Sequence, residues 1–195
     1  MAAAKITDAR RLVDMRDAGL RDLFVGWFDY YATRSRARME GLTDEEYLWE
    51  PVAGCWSIRP RDGAFVTDWA WPEPDPAPVT TIAWRLVHVC SSLTEHGLRP
   101  VAFEGTSANH VAPSIVPSTA GAAVEAFEAS VAHWRDDISA VSEDRLWEPM
   151  GPEAGRYADE PVGSFIEHIH DELIHHTAEI ALLRDLYRCQ SITYG

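Results

Sequence analysis

Four stretches of this chain have the length and the apolar periodicity of long helices, and every proline falls between them. Proline interrupts helices, so its positions predict where each helix begins and ends. The predicted helices are Asp17–Met39, Val79–Leu98, Ala120–Val141 and Val162–Tyr187. A chain of 195 residues is a suitable length for one domain with a sizeable core. We therefore expect a single all-α domain over residues 1–195.

A short internal repeat indicates how these helices pair. Residues 45–51 read EEYLWEP and residues 143–149 read EDRLWEP, and each segment follows one long helix and precedes another. Two helical hairpins related by an approximate two-fold would produce this pattern, and antiparallel helix pairs are the usual units of a four-helix bundle. The alternative is that Leu-Trp-Glu-Pro is a convenient helix exit that arose twice by chance. The sequence favours an antiparallel four-helix bundle.

Two long connections, residues 52–78 and 99–117, separate the predicted helices. In the first, the segments Trp56–Ile58 and Ala64–Trp69 flank a turn signal at Arg59–Gly63, which indicates a small β-hairpin. Alternating prolines then form an extended lead into the second helix. Loops of this size often carry binding function, but their tryptophans could equally pack over the end of the bundle.

Composition argues against several classes of partner. Lys and Arg total 17 against 31 Asp and Glu, a formal net charge of −14, which disfavours nucleic acids and anionic membranes. No apolar run approaches the roughly 20 residues of a membrane-spanning helix, and residues 1–10 lack the apolar segment of a secretory signal. The three cysteines are odd in number and form no CxxC pair, as expected of reduced thiols. We expect a cytoplasmic protein.

The fourth predicted helix has one apolar face and one solvated face. A rotation of 100° per residue places these residues together on the apolar face: Phe165, Ile169, Ile180, Leu183, Leu186 and Tyr187. The opposite face contains Asp171, Ala178, Arg184, Asp185 and Arg188. Such a helix is expected to bury its apolar face in the core.

Titratable residues lie near the centre of that apolar face. His168, Glu172 and His176 follow one another at intervals of four, and Glu179 lies one turn further on. A buried carboxylate is costly unless it is paired, protonated or bound to a metal. Glu172 and His176 point the same way about one turn apart, and imidazole and carboxylate suit zinc and related metals. The alternative is a dry core in which Glu172 is neutral and hydrogen-bonded.

A metal site between helices needs a ligand from a second helix, and His88 is the candidate. Its stripe on the second predicted helix could equally be the solvent face, because it also contains Thr81, Arg85, Ser92 and Glu95. Cys90 lies two residues from His88 and therefore on a different face. A zinc–thiolate site with Cys90 is not expected.

The remaining polar residues of the fourth helix have supporting roles in this hypothesis. His168 and Glu179 are expected to orient the ligands by hydrogen bonds. His168 could instead be a satisfied core histidine or a further ligand. His170 is expected to be solvated, and His175 to border the buried face.

Several segments of the chain resemble the DinB-like superfamily. They are the lone histidine of the second helix, Glu172–His176 (ELIHH), Cys55–Pro60 (CWSIRP), Trp71–Pro74 (WPEP) and Ala178–Tyr187 (AEIALLRDLY). The resemblance covers nearly the whole chain and is closest to actinobacterial-type members. It implies a four-helix bundle with a metal site formed by one residue of the second helix and two of the fourth.

The resemblance also implies which residues bind the metal. Many members of the superfamily use three histidines, whereas this chain has Glu172 at the first position of the fourth helix. A His-Glu-His set is similar to that of mycothiol-dependent maleylpyruvate isomerase, which implies His88, Glu172 and His176 as ligands. The expected ion is one divalent metal, with zinc preferred and nickel, iron or manganese as alternatives.

Thiol chemistry is the activity that the resemblance implies. The expected function is an S-transferase or isomerase that takes a low-molecular-weight thiol such as mycothiol, together with an electrophile. The alternatives are a metal-dependent hydrolase and a non-catalytic, metal-stabilised bundle that binds a small molecule or dimerises. The habits of the superfamily and the tryptophan-rich loops favour a homodimer. Beyond the metal ligands, the sequence identifies no catalytic or cofactor-binding residue.

Overall fold

Helices predominate in the computed structural model, which describes residues 18–72, 74–108 and 115–190. In chain order they are α1 Leu20–Met39, α2 Asp44–Tyr47, α3 Ile82–Thr94, α4 Ala120–Ala140, α5 Glu143–Trp147 and α6 Val162–Cys189. A π-helical turn covers Pro100–Glu104 and a 3-10 turn covers Pro152–Tyr157. The observed ends of the long helices lie within four residues of the predicted ones, except for the predicted start at Asp17, which lies outside the described residues.

The second long helix, α3, begins later than predicted because the chain before it is extended, and it ends at Thr94 rather than at the predicted Leu98. The hydroxyl of Thr81 accepts the N–H of Trp84 at 3.2 Å and so caps the first turn. Thr80 forms a β-bridge with Trp56, which holds the preceding backbone out of the helix. The cap and the bridge together fix the start of α3 at Ile82.

The four long helices pack around one core. Helices α1 and α3 each pack on both α4 and α6. Fully buried large side chains line their contacts, among them Phe28, Leu86, Phe127, Trp134, Ile166, Ile169 and Leu173. Burying one such side chain stabilises the fold by about 1.5–3 kcal/mol. The predominantly helical fold is confirmed, whereas the antiparallel order of a four-helix bundle stays a prediction. Within the described ranges, no helix has the length and apolar character needed to cross a membrane.

The two repeated segments, residues 45–51 and 143–149, begin in the short helices α2 and α5, and carboxylates of these helices make similar contacts. The first half of the fold contains α1 to α3, and the second half contains α4 to α6. A carboxylate in the first turn of each short helix accepts a backbone N–H at the start of a long helix in the other half. The Asp44 carboxylate of α2 accepts the N–H of Ala120 at 2.7 Å, at the start of α4. The Glu143 carboxylate of α5 accepts the N–H of Leu20 at 2.5 Å, at the start of α1. Asp44 and Glu143 differ by one position in the alignment of the repeat, so the contacts are similar in kind but do not come from equivalent residues.

The predicted β-hairpin is present between α2 and α3. Strand β1 spans Ile58–Arg61 and strand β2 spans Ala64–Thr67, and they pair in antiparallel register with Ile58 opposite Thr67. Only Asp62 and Gly63 form the turn, with φ values of 52° and 82°. Two successive positive φ values are the signature of a tight hairpin turn, for which Asp-Gly is favoured. The predicted turn at residues 59–63 was therefore too long, because Arg59 to Arg61 belong to β1.

Four positions of α6 depart from the predicted faces, and one of them is His168, which was placed near the centre of the apolar face but is exposed. His170 was expected to be solvated but is buried, with its ring stacked on that of Phe28 at 5.4 Å. Arg184 was assigned to the solvated face but is buried, and it donates to both carboxylate oxygens of Glu46 at 2.8 and 3.0 Å. Leu186 was assigned to the buried face but is exposed. More than one narrow face of α6 is buried because the helix packs on both α1 and α3.

Candidate metal centre

Three candidate ligands meet where α3 packs on α6. His88 lies on α3, and Glu172 and His176 lie one turn apart on α6. The Nε2 atoms of His88 and His176 each lie 3.0 Å from Oε2 of Glu172. The two imidazole rings are 4.7 Å apart and nearly perpendicular, at 83°. Packing of two helices thus brings together residues that are 84 positions apart in the chain.

The spacing of these atoms is close to what a metal ion requires. One ligand atom from each of the three residues lies within 4.8 Å of the other two. Ligand atoms about 2.0–2.1 Å from a tetrahedral ion lie about 3.3 Å from one another. Small side-chain adjustments would therefore place all three around one ion.

Glu172 is held in its charged form. Hydrogen bonds from His176 and His88 lower the pKa of Glu172 well below its usual value, against the opposing effect of burial. A carboxylate binds metal when it is deprotonated, and a shared site between two imidazoles favours that state. The alternative of a neutral Glu172 in a dry core does not agree with these contacts.

The contacts of His176 are also compatible with a cation here. Carboxylate oxygens face both of its ring nitrogens, with Glu172 3.0 Å from Nε2 and Glu179 2.7 Å from Nδ1. A neutral imidazole has one N–H and cannot donate to both. A cation shared by Nε2 and Glu172 would leave the Nδ1 proton for Glu179, which is the usual arrangement around metal-binding histidines. The residues present therefore fit a divalent metal.

Arg85 supplies a fixed positive charge beside this group. Its Nη1 lies 3.1 Å from Nδ1 of His176, and its Nε lies 2.9 Å from Oε2 of Glu179. The Nε N–H is not aligned for a hydrogen bond, so this contact is an ion pair. The guanidinium also lies over the ring of Trp84, 5.2 Å from its centroid. Arg85 therefore contacts the candidate ligand His176 and its neighbour Glu179 at the same time.

A second group of residues also has ligand atoms close enough together to hold an ion. Within the described part of the chain, His175, His176 and Glu179 also bring ligand atoms within 4.8 Å of one another. Here Arg85 already provides the cation that neutralises Glu179, and His175 is exposed. The group of His88, Glu172 and His176 is therefore the better candidate.

Comparison with protein families agrees with the helical architecture. A family model described as the DinB superfamily matches residues 28–180. The chain belongs to the DinB superfamily. In this DinB-superfamily chain, the matched residues include His88, Glu172 and His176 as well as the β-hairpin. The curated proteins and the solved structures with which the chain was compared contain no match.

The two residues that were expected to orient the ligands lie in different surroundings. Glu179 contacts Nδ1 of His176, in a position suited to that role. His168 is exposed, and its ring lies 5.9 Å from that of His96. The described hydrogen bonds of Glu172 come from His88 and His176. The expectation that His168 orients Glu172 is therefore not supported.

Sequence reasoning missed Arg85 and Trp84 as parts of this centre. Arg85 was recognised only as a member of the His88 stripe, which could have been the solvent face. Thr81 and Ser92, also on that stripe, are buried, so much of this face is turned into the protein. The available signal was spacing, because Arg85 and Trp84 precede His88 by three and four residues, about one helical turn.

Proposed function

We propose that this DinB-superfamily chain binds one divalent metal ion, preferably zinc, through His88, Glu172 and His176. We further propose that it acts as an S-transferase or isomerase that uses a low-molecular-weight thiol of the mycothiol type. The observation that carries the metal site is the pair of 3.0 Å contacts from two imidazoles to one charged carboxylate. The thiol is suggested by the similarity of the His-Glu-His set to mycothiol-dependent maleylpyruvate isomerase.

Each residue of the centre has a distinct task in this proposal. A divalent ion with three protein ligands and an open position lowers the pKa of a thiol or a water molecule that it binds. His88 and His176 would present Nε2 to the ion, and Glu172 would offset part of its charge. Trp84 is stacked on the His88 ring at 5.1 Å and 13°, which fixes the plane of that imidazole.

The orientation of His176 depends on residues behind it. With a metal bound at Nε2, Glu179 would accept the Nδ1 proton across the 2.7 Å contact. Arg85 neutralises Glu179 and holds it in place through the 2.9 Å ion pair. These contacts hold the imidazole ring in place beside Glu172.

Elemental analysis of purified protein tests the metal site. We expect about one equivalent of a divalent metal in the parent protein, and little in Glu172→Ala or His176→Ala, because each variant loses a ligand. His168→Ala is the matched control, since His168 is an exposed histidine of the same helix. Equal metal content in all four proteins would contradict the site.

Thiol consumption tests the activity separately. The metal-loaded protein is incubated with mycothiol, or with cysteine as a simpler thiol, and with 1-chloro-2,4-dinitrobenzene as a model electrophile. We expect a rate above background that disappears on chelation and in Glu172→Ala. Stoichiometric metal without any metal-dependent rate would reject the thiol transferase and favour a metal-stabilised, non-catalytic bundle.

A further inference from the structure

Two tryptophan side chains of the segment between α2 and α3 are exposed to an unusual degree. Trp69, just after β2, is 69% exposed, and Trp71 is 85% exposed. Indole rings bury large apolar areas where they can, so exposed ones often mark a binding surface. The metal centre described above gives no role to either residue.

A series of ring contacts connects Trp69 to the candidate metal centre. The ring of Trp69 lies 6.2 Å from that of Trp56, and Trp56 lies 5.8 Å from Trp84. Trp84 is in turn stacked on His88 at 5.1 Å. Three ring contacts therefore connect an exposed indole to a candidate ligand.

Hydrogen bonds hold this aromatic series in place. The indole N–H of Trp84 donates to the backbone carbonyl of Asp68 at 2.8 Å. The Asp68 carboxylate accepts the backbone N–H of Ser57 at 2.9 Å and Nε of Arg59 at 3.1 Å. Ser57, which follows Trp56, and Asp68, which precedes Trp69, are thus bonded to each other, and Asp68 is also bonded to Trp84 of α3. A surface fixed before binding loses little entropy when a ligand settles on it.

We propose that Trp56 and Trp69 form a stacking platform for a planar, aromatic or conjugated portion of the small molecule that reacts at the metal centre. Indole faces favour flat π-systems through dispersion and offset stacking. A flat uncharged group also suits a chain with a net charge of −14 better than an anionic one does. The link to a reacting molecule rests on the proposed function, whereas stacking on the platform does not require metal.

Binding of a flat probe and of its saturated counterpart tests the platform. The probes are 2-naphthalenemethanol and its decahydro analogue, which have the same carbon skeleton but differ in planarity. They are titrated into ¹⁵N-labelled protein, and the indole N–H signals are followed in metal-free and in metal-loaded samples. We expect the naphthyl probe to shift the signals of Trp56 and Trp69 in both samples, and the saturated probe to bind several-fold more weakly.

Variants assign the effect to the platform. Trp69→Ala is expected to raise the Kd of the naphthyl probe by about tenfold, while Trp69→Phe retains most of the affinity. Trp147→Ala is the matched control, because Trp147 is 68% exposed but belongs to α5. Its Kd should equal that of the parent protein. Equal binding of the two probes, or an unchanged Kd in Trp69→Ala, would overturn the platform.

Two further outcomes distinguish the platform from a dimer contact and from the metal centre. If Trp69→Ala converts a dimer to a monomer in sedimentation and the naphthyl probe does not bind, the exposed indoles serve a second copy of the chain and the platform is wrong. If the probe binds as expected in the metal-free protein and in Glu172→Ala, the platform stands even where metal-dependent turnover is absent. The proposed function would then fail alone.

Discussion

The buried histidine of α6 should make the stability of this fold depend on pH in a characteristic way. His170 is 4% exposed, and within the described residues its Nε2 has no hydrogen-bond partner. Burial lowers the pKa of His170 from 6.5 to about 4. Between these two values the unfolded chain binds a proton that the folded chain does not, so stability falls as pH falls.

The size of this effect follows from the two pKa values. A difference of one in pKa corresponds to about 1.4 kcal/mol, and at pH 5 a histidine is almost fully protonated when unfolded but mostly neutral in the fold. Lowering the pH from 7 to 5 should therefore cost the native state about 2 kcal/mol through His170 alone. His170→Phe removes this contribution and keeps an aromatic ring against Phe28.

Urea unfolding at pH 7, 6 and 5 measures this difference. The free energy of unfolding of the parent protein should fall by about 2 kcal/mol more than that of His170→Phe over this range, with chelator present throughout. Contributions from carboxylates are common to both proteins and cancel. His168→Phe, at an exposed position of the same helix, should follow the parent protein. Parallel pH profiles for the parent protein and His170→Phe would refute the reasoning.

Three other predictions concern the metal, the buried ion pair and the helix caps. The free energy of unfolding should be about 2.7 kcal/mol lower in chelator than in free metal ion at 100 times its Kd. An equal difference between the two conditions in Glu172→Ala would count against the site. Glu46→Ala should cost about 3–5 kcal/mol in urea unfolding, because it leaves Arg184 buried without its carboxylate, while exposed Arg188→Ala should change little. Asp44→Ala should cost about 1 kcal/mol in the same assay by removing the acceptor at the start of α4, and no loss would show that this contact is dispensable.

The sequence predicted the long helices well because their determinants are local. Proline positions and apolar periodicity act within one element, so the bounds of α4 and α6 were found within two residues. The hairpin was also visible from its Asp-Gly turn. Helical spacing paired Glu172 with His176 and left His88 as a candidate. Periodicity could not decide whether His88 faces solvent, and the resemblance to the DinB-like superfamily joined it to the other two.

Errors arose where a residue depends on distant parts of the chain. A helix that packs on two neighbours buries more than one narrow stripe, so His170 and Arg184 were misassigned on α6. Arg184 is buried because Glu46 neutralises it, and the two lie 138 positions apart. The contacts of Arg85 with His176 and Glu179 likewise cross between helices. Periodicity within one helix contains no information about such partners.

The carboxylates of α2 and α5 have a consequence for how the two halves of this molecule depend on each other. Asp44 belongs to the first half but secures the start of α4, and Glu143 belongs to the second half but secures the start of α1. A chain severed between α3 and α4 would leave each fragment with a long helix whose first turn has lost a carboxylate acceptor from the other half. Each half therefore stabilises a helix of the other. These two contacts favour cooperative unfolding of the whole fold over the survival of either fragment.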